Sequence, residues 1–278
     1  MGKTVHVKRY MVSPGSKFSL GDVDPSDTSG FDGDKKEGEK AIDSILARLD
    51  PLQELLYAEH KHKLLIVLQG MDTAGKDGTI RRVFEGVNPE GVRVAHFGVP
   101  SEEEKDHDYL WRAHKQVPGK GEIVLFNRSH YESVLVERVH GIVPESVWSK
   151  RYQQLVDFER MLSEEGTTVV KFFLHIDKKE QAKRFQDRLN DPTKHWKFSY
   201  LDYNERSFWK EYIRAYQEAL ERTSTEFAPW YVVPSNHPWF RDLVVSEVVI
   251  DALGSLKMQY PKLDPKKAEF AADKASTQ

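Results

Sequence analysis

The chain has no cysteine among its 278 residues. That excludes disulfides, thiol nucleophiles and thiolate metal ligands. No stretch approaches the roughly 18 to 20 consecutive apolar residues that a membrane-spanning helix needs. The opening MGKTVHVKRYMVSPGSKFSL lacks the apolar core of a secretory signal. Gly2 does not make an acylation signal, because position 6 is His6 and not Ser or Thr. Net charge is small, at −3. No global positive field is therefore available to hold nucleic acid, and a polyanionic partner needs a local basic patch. These absences predict a soluble, cytoplasmic protein with neither a membrane nor a nucleic-acid partner.

What is present suits one large α/β domain with decorations, or two small domains. Apolar residues make up 39% and charged residues 31%, enough for a core under a well-solvated surface. Residues 12–38 are rich in Gly, Ser, Asp and Pro and read as part of an irregular N-terminal arm, 1–38. From Glu39 to about His60 the apolar residues Ile42, Ile45, Leu46, Leu49, Leu52, Leu55 and Leu56 recur at helical spacing, with Pro51 as a point of kinking or splitting. Strand-length runs follow at LLIVLQ (64–69), VRVAHF (92–97), EIVLFN (122–127), TTVVKFFLHI (167–176) and WYVVPS (230–235). Helical patterns lie between and after them, at 76–86, 101–116, 145–165, 178–189, 203–222 and 238–257. Such alternation implies a mostly parallel sheet covered on both faces. The domain is set at 39–260, and residues 261–278 form a polar tail.

Gly70-Met71-Asp72-Thr73-Ala74-Gly75-Lys76 fits the pattern G-x-x-x-x-G-K between a strand and a helix. The glycines let successive N–H groups turn toward one anion, and the helix adds its positive end. Gly70, Thr73, Ala74, Gly75, Asp77 and Gly78 are thus candidate phosphate contacts, and the Lys76 ammonium can reach a transferring phosphoryl group. The Ser or Thr that commonly follows the lysine is absent; Asp77 stands there. A carboxylate in such a turn repels the ligand unless a cation intervenes. Asp72 is therefore a candidate Mg²⁺ ligand, with capping of the turn as the alternative. Asp77, in the first helical turn, suits the helix dipole.

A second stretch, GEIVLFNRSHYESVLVERVHG (121–141), ends its strand at Asn127-Arg128, and the arginine fork suits phosphate oxygens. Together with GMDTAGKDGTI, RLNDPTKHWKFSYLDYNERSFWKEY and TSTEFAPWYVVPSNHPWFRDLVV, it closely resembles the polyphosphate kinase type 2 family over roughly residues 40–257. The resemblance implies a phosphate-loop kinase fold similar to thymidylate kinase: a three-layer α/β/α sandwich with a five-stranded, mostly parallel sheet and a helical lid at about 180–206. It implies Mg²⁺-dependent transfer of phosphoryl groups between inorganic polyphosphate and nucleotides, with Mn²⁺ as the alternative metal and assembly as a dimer or tetramer. By position, Asp72, Lys76 and Arg128 match the family's catalytic loop acid, lysine and arginine. Asn127 stands where many members have Asp. It leaves a carbonyl oxygen for the metal, and with Tyr131 and Glu137 it belongs to the stretch assigned to the nucleotide acceptor. The Asn-Arg-Ser-x-Tyr-Glu variant looks like the subgroup accepting both AMP and ADP. Adenine is the expected base and guanine the alternative.

The basic run KRFQDRLNDPTKHWK (183–197) carries Lys183, Arg184, Arg188, Lys194, His195 and Lys197, interleaved with Trp196. Alone it is a solvated charged face as readily as a site. In the lid's place it supplies cations over a phosphate chain, and Arg188, Lys194 and Lys197 are assigned to polyphosphate. Arg81 extends the track. Arg112, in HFGVPSEEEKDHDYLWRAH (96–114), is the candidate for an acceptor phosphate. Two rival readings stay open: an ATP-dependent nucleotide or nucleoside kinase of the same fold, and a non-catalytic nucleotide-sensing module.

Overall fold

The computed structural model describes residues 4–264. Gly2 and residues 265–278 of the polar tail lie outside the described residues. The main elements are α1 (Lys35–Glu59), β1 (Lys63–Gln69), α2 (Lys76–Val83), β2 (Val92–His96), α3 (Glu102–Lys105), α4 (Trp111–His114), β3 (Ile123–Asn127), α5 (Val136–Val139), α6 (Glu145–Glu164), β4 (Thr167–His175), α7 (Lys178–Asn190), α8 (Tyr200–Asn204), α9 (Trp209–Thr223), β5 (Trp230–Pro234) and α10 (Pro238–Ser255).

All five expected strands form, and they make one wholly parallel sheet in the order β2-β3-β1-β4-β5. Leu64 to Gln69 are buried without a break. Successive strand residues point to opposite faces, so both faces of the central strand are covered. This is the three-layer α/β/α sandwich. On one side α1 packs along α10, which rests on β4 and β5; α6 lies on β4 and against α9. No helix among the described residues is long and apolar enough to cross a membrane.

Several boundaries differ from the periodicity, among them the helix expected at 203–222, whose α9 starts only at Trp209. Helix α1 begins at Lys35, because Asp34 and Glu37 form a reciprocal capping box. It runs through Pro51 unbroken: Ile42, Ile45 and Leu49 before it and Leu56 after it are all buried. At about 1.5–3 kcal/mol each, that burial outweighs an internal proline's cost. The expected helix 101–116 divides into α3 and α4. The Ser101–Glu104 capping box starts the first, and Asp108 accepts the N–H groups of Leu110 (2.9 Å) and Trp111 (3.1 Å) to start the second. The described residues before α1 are part of the core, and the last four residues of the expected arm, 35–38, are the first turn of α1. Val5, Val7, Tyr10, Val12, Leu20 and Phe31 are buried, Met11 bridges Tyr231, and Val12 N–H donates to Trp230 O at 2.8 Å. The arm thereby covers the open edge of β5.

Candidate active site

Register places the two informative strand ends side by side. Leu68 of β1 pairs with Asn127 of β3, and Arg128 N–H donates to Leu68 O at 3.1 Å. Both chains then leave the sheet at its carboxyl edge, where open α/β sheets bind ligands. The phosphate loop needs unusual backbone: φ is +156° at Gly70, +65° at Thr73 and +109° at Gly75. A Cβ on Gly70 would lie 2.8 Å from Leu174 O, and one on Gly75 would overlap the Arg241 guanidinium. Arg128 also sits at positive φ, +60°. A non-glycine residue there stores strain, which clusters at functional positions.

Lys76 Nζ donates to Gly70 O at 2.7 Å and lies 3.4 Å from Met71 O. Its pKa is lowered to about 8, by burial first and then by Arg128, against the upward pull of Asp72, Glu132 and Asp77. Arg128 Nη2 donates to Asp72 Oδ1 at 2.9 Å, and Glu132 Oε2 lies 3.9 Å from Nη1. Burial works against the Arg128 charge, but Glu132 and Asp72 outweigh it. Glu132 is raised by burial, against the pull of Arg128. Asn127 Nδ2 donates to Asp77 Oδ1 at 2.7 Å, leaving its carbonyl oxygen available, and Lys197 Nζ stands 3.6 Å from Asp77 Oδ2. Although burial opposes it, the Asn127 hydrogen bond with Lys197 and Lys76 holds the Asp77 carboxyl below its usual range.

These groups border a cleft of about 630 Å³. Asp72, Thr73, Gly75, Lys76, Asp77 and Gly78 form its floor; Asn127 and Arg128 form one side; Arg188, Lys194 and Lys197 close it from the basic segment. Gly70 borders a smaller adjoining hollow of about 230 Å³, and Ala74 is fully buried within the loop. Arg188 is braced by Lys197 O (3.1 Å), Lys194 is paired with Asp191 (2.8 Å), and Trp196 is 79% exposed at the rim. A second hollow of about 570 Å³ shares Phe97, Gly98, Val99 and Arg128 with the cleft and is further walled by Tyr109 and Val136. Arg112 and Glu137 belong to this second hollow. Arg112 is held by Gly98 O (3.0 Å) and faces the Phe97 ring, while Glu137 pairs with Arg151 (2.6 Å).

Two expected site residues lie elsewhere. Tyr131 is fully buried, and its hydroxyl is engaged by Glu159 (2.8 Å), Thr223 (2.9 Å) and Lys171 (2.9 Å). Lys171 and Glu159 themselves form a sealed ion pair. Tyr131 is thus a partner of that buried pair and lines neither cavity. Arg81 borders a different hollow with Arg82, Glu85 and Asp242, which shares Gly78 with the cleft. Helical periodicity turns it from the Lys76 side, and it does not line the cleft. Arg184 is also not a cleft cation; it lies behind the loop, on the carbonyls of Thr73 and Ala74. Glu132 and Asp202 were missed. Asp202 borders both cleft and adjoining hollow, and its pKa is raised by burial and then by Asp72. Glu132 ends the Asn-Arg-Ser-x-Tyr-Glu stretch, and Asp202 lies in one of the stretches that carry the resemblance and within the lid segment, but neither had a spacing that pointed to the cleft.

Among the described residues no three His, Asp or Glu side chains gather into a cation cage. The oxygen donors at the cleft, Asp72, Asp77 and the Asn127 carbonyl, fit a hard divalent ion that keeps waters and takes the rest of its shell from phosphates, as Mg²⁺ does.

The family model for Polyphosphate kinase 2 matches residues 32–261. The chain belongs to the polyphosphate kinase 2 family. It is 56% identical to the AMP/ADP-polyphosphate phosphotransferase of Meiothermus ruber over 92% of this chain and 96% of that protein. It is 42% identical to the ADP-polyphosphate phosphotransferase of Rhodopseudomonas palustris, over 94% of each. The crystal structure of Polyphosphate Kinase 2 from Arthrobacter aurescens TC1 superposes with a TM-score of 0.92 at 44% identity, covering 97% of both chains. This polyphosphate kinase 2 family member thus shares its overall fold with that structure.

Proposed function

We propose that this family member transfers phosphoryl groups between inorganic polyphosphate and adenine nucleotides, AMP and ADP, with Mg²⁺. The carrying observation is that Arg128 stands at the junction of two cavities of different character: the cleft over Lys76, closed by lysine and arginine, and the hollow walled by Phe97, Tyr109 and Val136. A phosphate chain suits the first and a nucleoside the second, with the reacting phosphates meeting at Arg128.

In this reading a terminal oxygen of the nucleotide phosphate attacks the terminal phosphorus of polyphosphate in line. The P–O bond to the next phosphate breaks, and the shortened chain leaves as the anion. The attacking oxygen is already anionic, so neither a protein nucleophile nor a strong base is needed. Lys76, Arg128 and the cations of the lid, Arg188, Lys194 and Lys197, offset charge on the equatorial oxygens. Asp72 and the Asn127 carbonyl would hold Mg²⁺, which supplies charge neutralisation between the two substrates. The segment around 180–206 acts as a lid that excludes water. Guanine nucleotides are the second acceptor class, in line with a Corynebacterium glutamicum relative described as a putative GDP-polyphosphate phosphotransferase, 37% identical over 73% of this chain. Assembly as a dimer or tetramer belongs to the same proposal and is read by light scattering.

The test offers AMP, ADP, GMP and GDP with Mg²⁺ and either polyphosphate or ATP as donor. Nucleotide products from polyphosphate are expected. Products from ATP alone would refute the reading in favour of an ordinary nucleotide kinase.

A further inference from the structure

Arg184 makes an unusual number of contacts for a residue in a basic surface run. Its Nη1 donates to Thr73 O (2.9 Å) and Ala74 O (3.0 Å), and its Nη2 to Ser235 O (2.6 Å) and Asn236 O (3.3 Å). Its Nε donates to Glu180 Oε1 at 2.8 Å, and only 14% of the side chain is exposed. All three nitrogens of the guanidinium are engaged. Four of the five acceptors are main-chain carbonyls, two of them in the phosphate loop. The Glu180 carboxylate offsets its charge, so Arg184 is not a free cation for substrate.

The loop geometry shows what those bonds achieve. A trans peptide is planar, and its C=O and N–H point in opposite directions. Holding Ala74 C=O on the α7 side therefore turns Gly75 N–H to the other side, where Gly75 borders the cleft. The Ala74 N–H is spent inside the loop, on Met71 O at 3.0 Å. Gly75 N–H and the first N–H groups of α2 are then the donors left for an anion. Arg241 approaches Ala74 O only at 3.5 Å and is paired with Asp242 at 2.7 Å, so it does not duplicate Arg184.

We propose that Arg184 is a positioning residue for phosphoryl transfer. It fixes the Thr73 and Ala74 peptides so that Gly75 N–H faces the polyphosphate, and it joins the loop, α7 and the turn after β5 into one rigid unit. Arg188, one turn further along α7, is held at a set distance from the loop by the same joint. The inference rests on the transfer reading above.

The test measures AMP phosphorylation from polyphosphate with Mg²⁺ for the wild type, Arg184→Ala, Arg184→Lys and Lys76→Ala, with a thermal melt of each. Arg184→Ala is expected to lower kcat about 100-fold, the scale of a 1 Å misplacement of reacting groups. It should raise KM for polyphosphate and leave KM for AMP unchanged. Millimolar guanidinium should restore part of that kcat and none of the loss in Lys76→Ala. Arg184→Lys reaches fewer carbonyls and should fall between. Wild-type kcat in either Arg184 variant overturns the inference, as does a lost kcat that guanidinium fails to restore in folded Arg184→Ala. If Arg184→Ala does not fold, Arg184→Lys decides: reduced kcat with unchanged KM for AMP supports the role, and anything else overturns it. An inactive wild type would instead refute the transfer reading itself.

Discussion

Arg128 and Asp72 meet across two adjacent strand ends, Nη2 to Oδ1 at 2.9 Å, with the arginine held in a left-handed backbone conformation. The pair is made by the sheet register, since β1 and β3 are neighbours with Leu68 opposite Asn127. Replacing Arg128 by Lys keeps the charge but loses the planar fork. Arg128→Lys and Asp72→Asn should each lower kcat about 100- to 1,000-fold. Because the two groups touch, the double variant should fall short of the sum by about 0.5–3 kcal/mol. Steady-state kinetics on the four proteins measures this; strict additivity would show that the pair does not act as a unit.

Lys76 should set the alkaline limit of polyphosphate use. Its pKa is lowered to about 8, mainly by burial. In the free enzyme the ammonium is therefore present below pH 8 and lost as pH rises through that value. kcat/KM for polyphosphate should fall above about pH 8, because that parameter reports the free enzyme. Bound phosphate favours the charged form, so kcat should bend at higher pH than kcat/KM. The Lys76→Arg variant, charged throughout, should show no such bend whatever its activity. Coincident bends in wild type and variant would assign the limit to another group.

Tyr131 offers the opposite expectation. Its hydroxyl is locked among Glu159, Thr223 and Lys171, far from any open surface. Tyr131→Phe should leave KM for AMP and ADP unchanged. It should cost about 1–3 kcal/mol of stability, the penalty for leaving buried polar partners short of a hydrogen bond. Chemical denaturation alongside kinetics separates the two. A large rise in KM for AMP at unchanged stability would return Tyr131 to the acceptor site.

Arg81 and Lys197 were both assigned to the phosphate chain, and the structure separates them. Lys197 closes the cleft and stands 3.6 Å from Asp77 Oδ2, whereas Arg81 borders another hollow. Lys197→Ala should raise KM for long-chain polyphosphate, more steeply at low ionic strength. Arg81→Ala should change it by no more than about twofold, the scale of an ordinary surface substitution. Titration of polyphosphate against both variants at two salt concentrations checks the pair.

Much of the fold was legible because each strand is a dense run of β-branched and aromatic residues, needed to cover a parallel sheet from both sides. The loop was legible too, since its glycines and lysine lie within seven residues. The break between α3 and α4 was not. Residues 101–108 hold no apolar residue, so periodicity could not place a break there, and the Asp108 cap that starts α4 acts through main-chain N–H groups that leave no periodic trace. Pro51 misled in the other direction, because packing on both sides of it outweighs the lost hydrogen bond.

For the site, local sequence determined everything built from neighbours along the chain: the phosphate loop, the Asn127-Arg128 strand end and the concentration of cations at 183–197. Only the tertiary structure decided which of those side chains share a space. It drew Arg184 behind the loop and sealed Tyr131 around a buried Lys171–Glu159 pair. It also brought Asp202 to the cleft from a segment more than a hundred residues beyond Asp72. Charge type is a property of a residue, readable one letter at a time. Direction and partnership depend on register, helix phase and burial, which exist only once distant segments have packed.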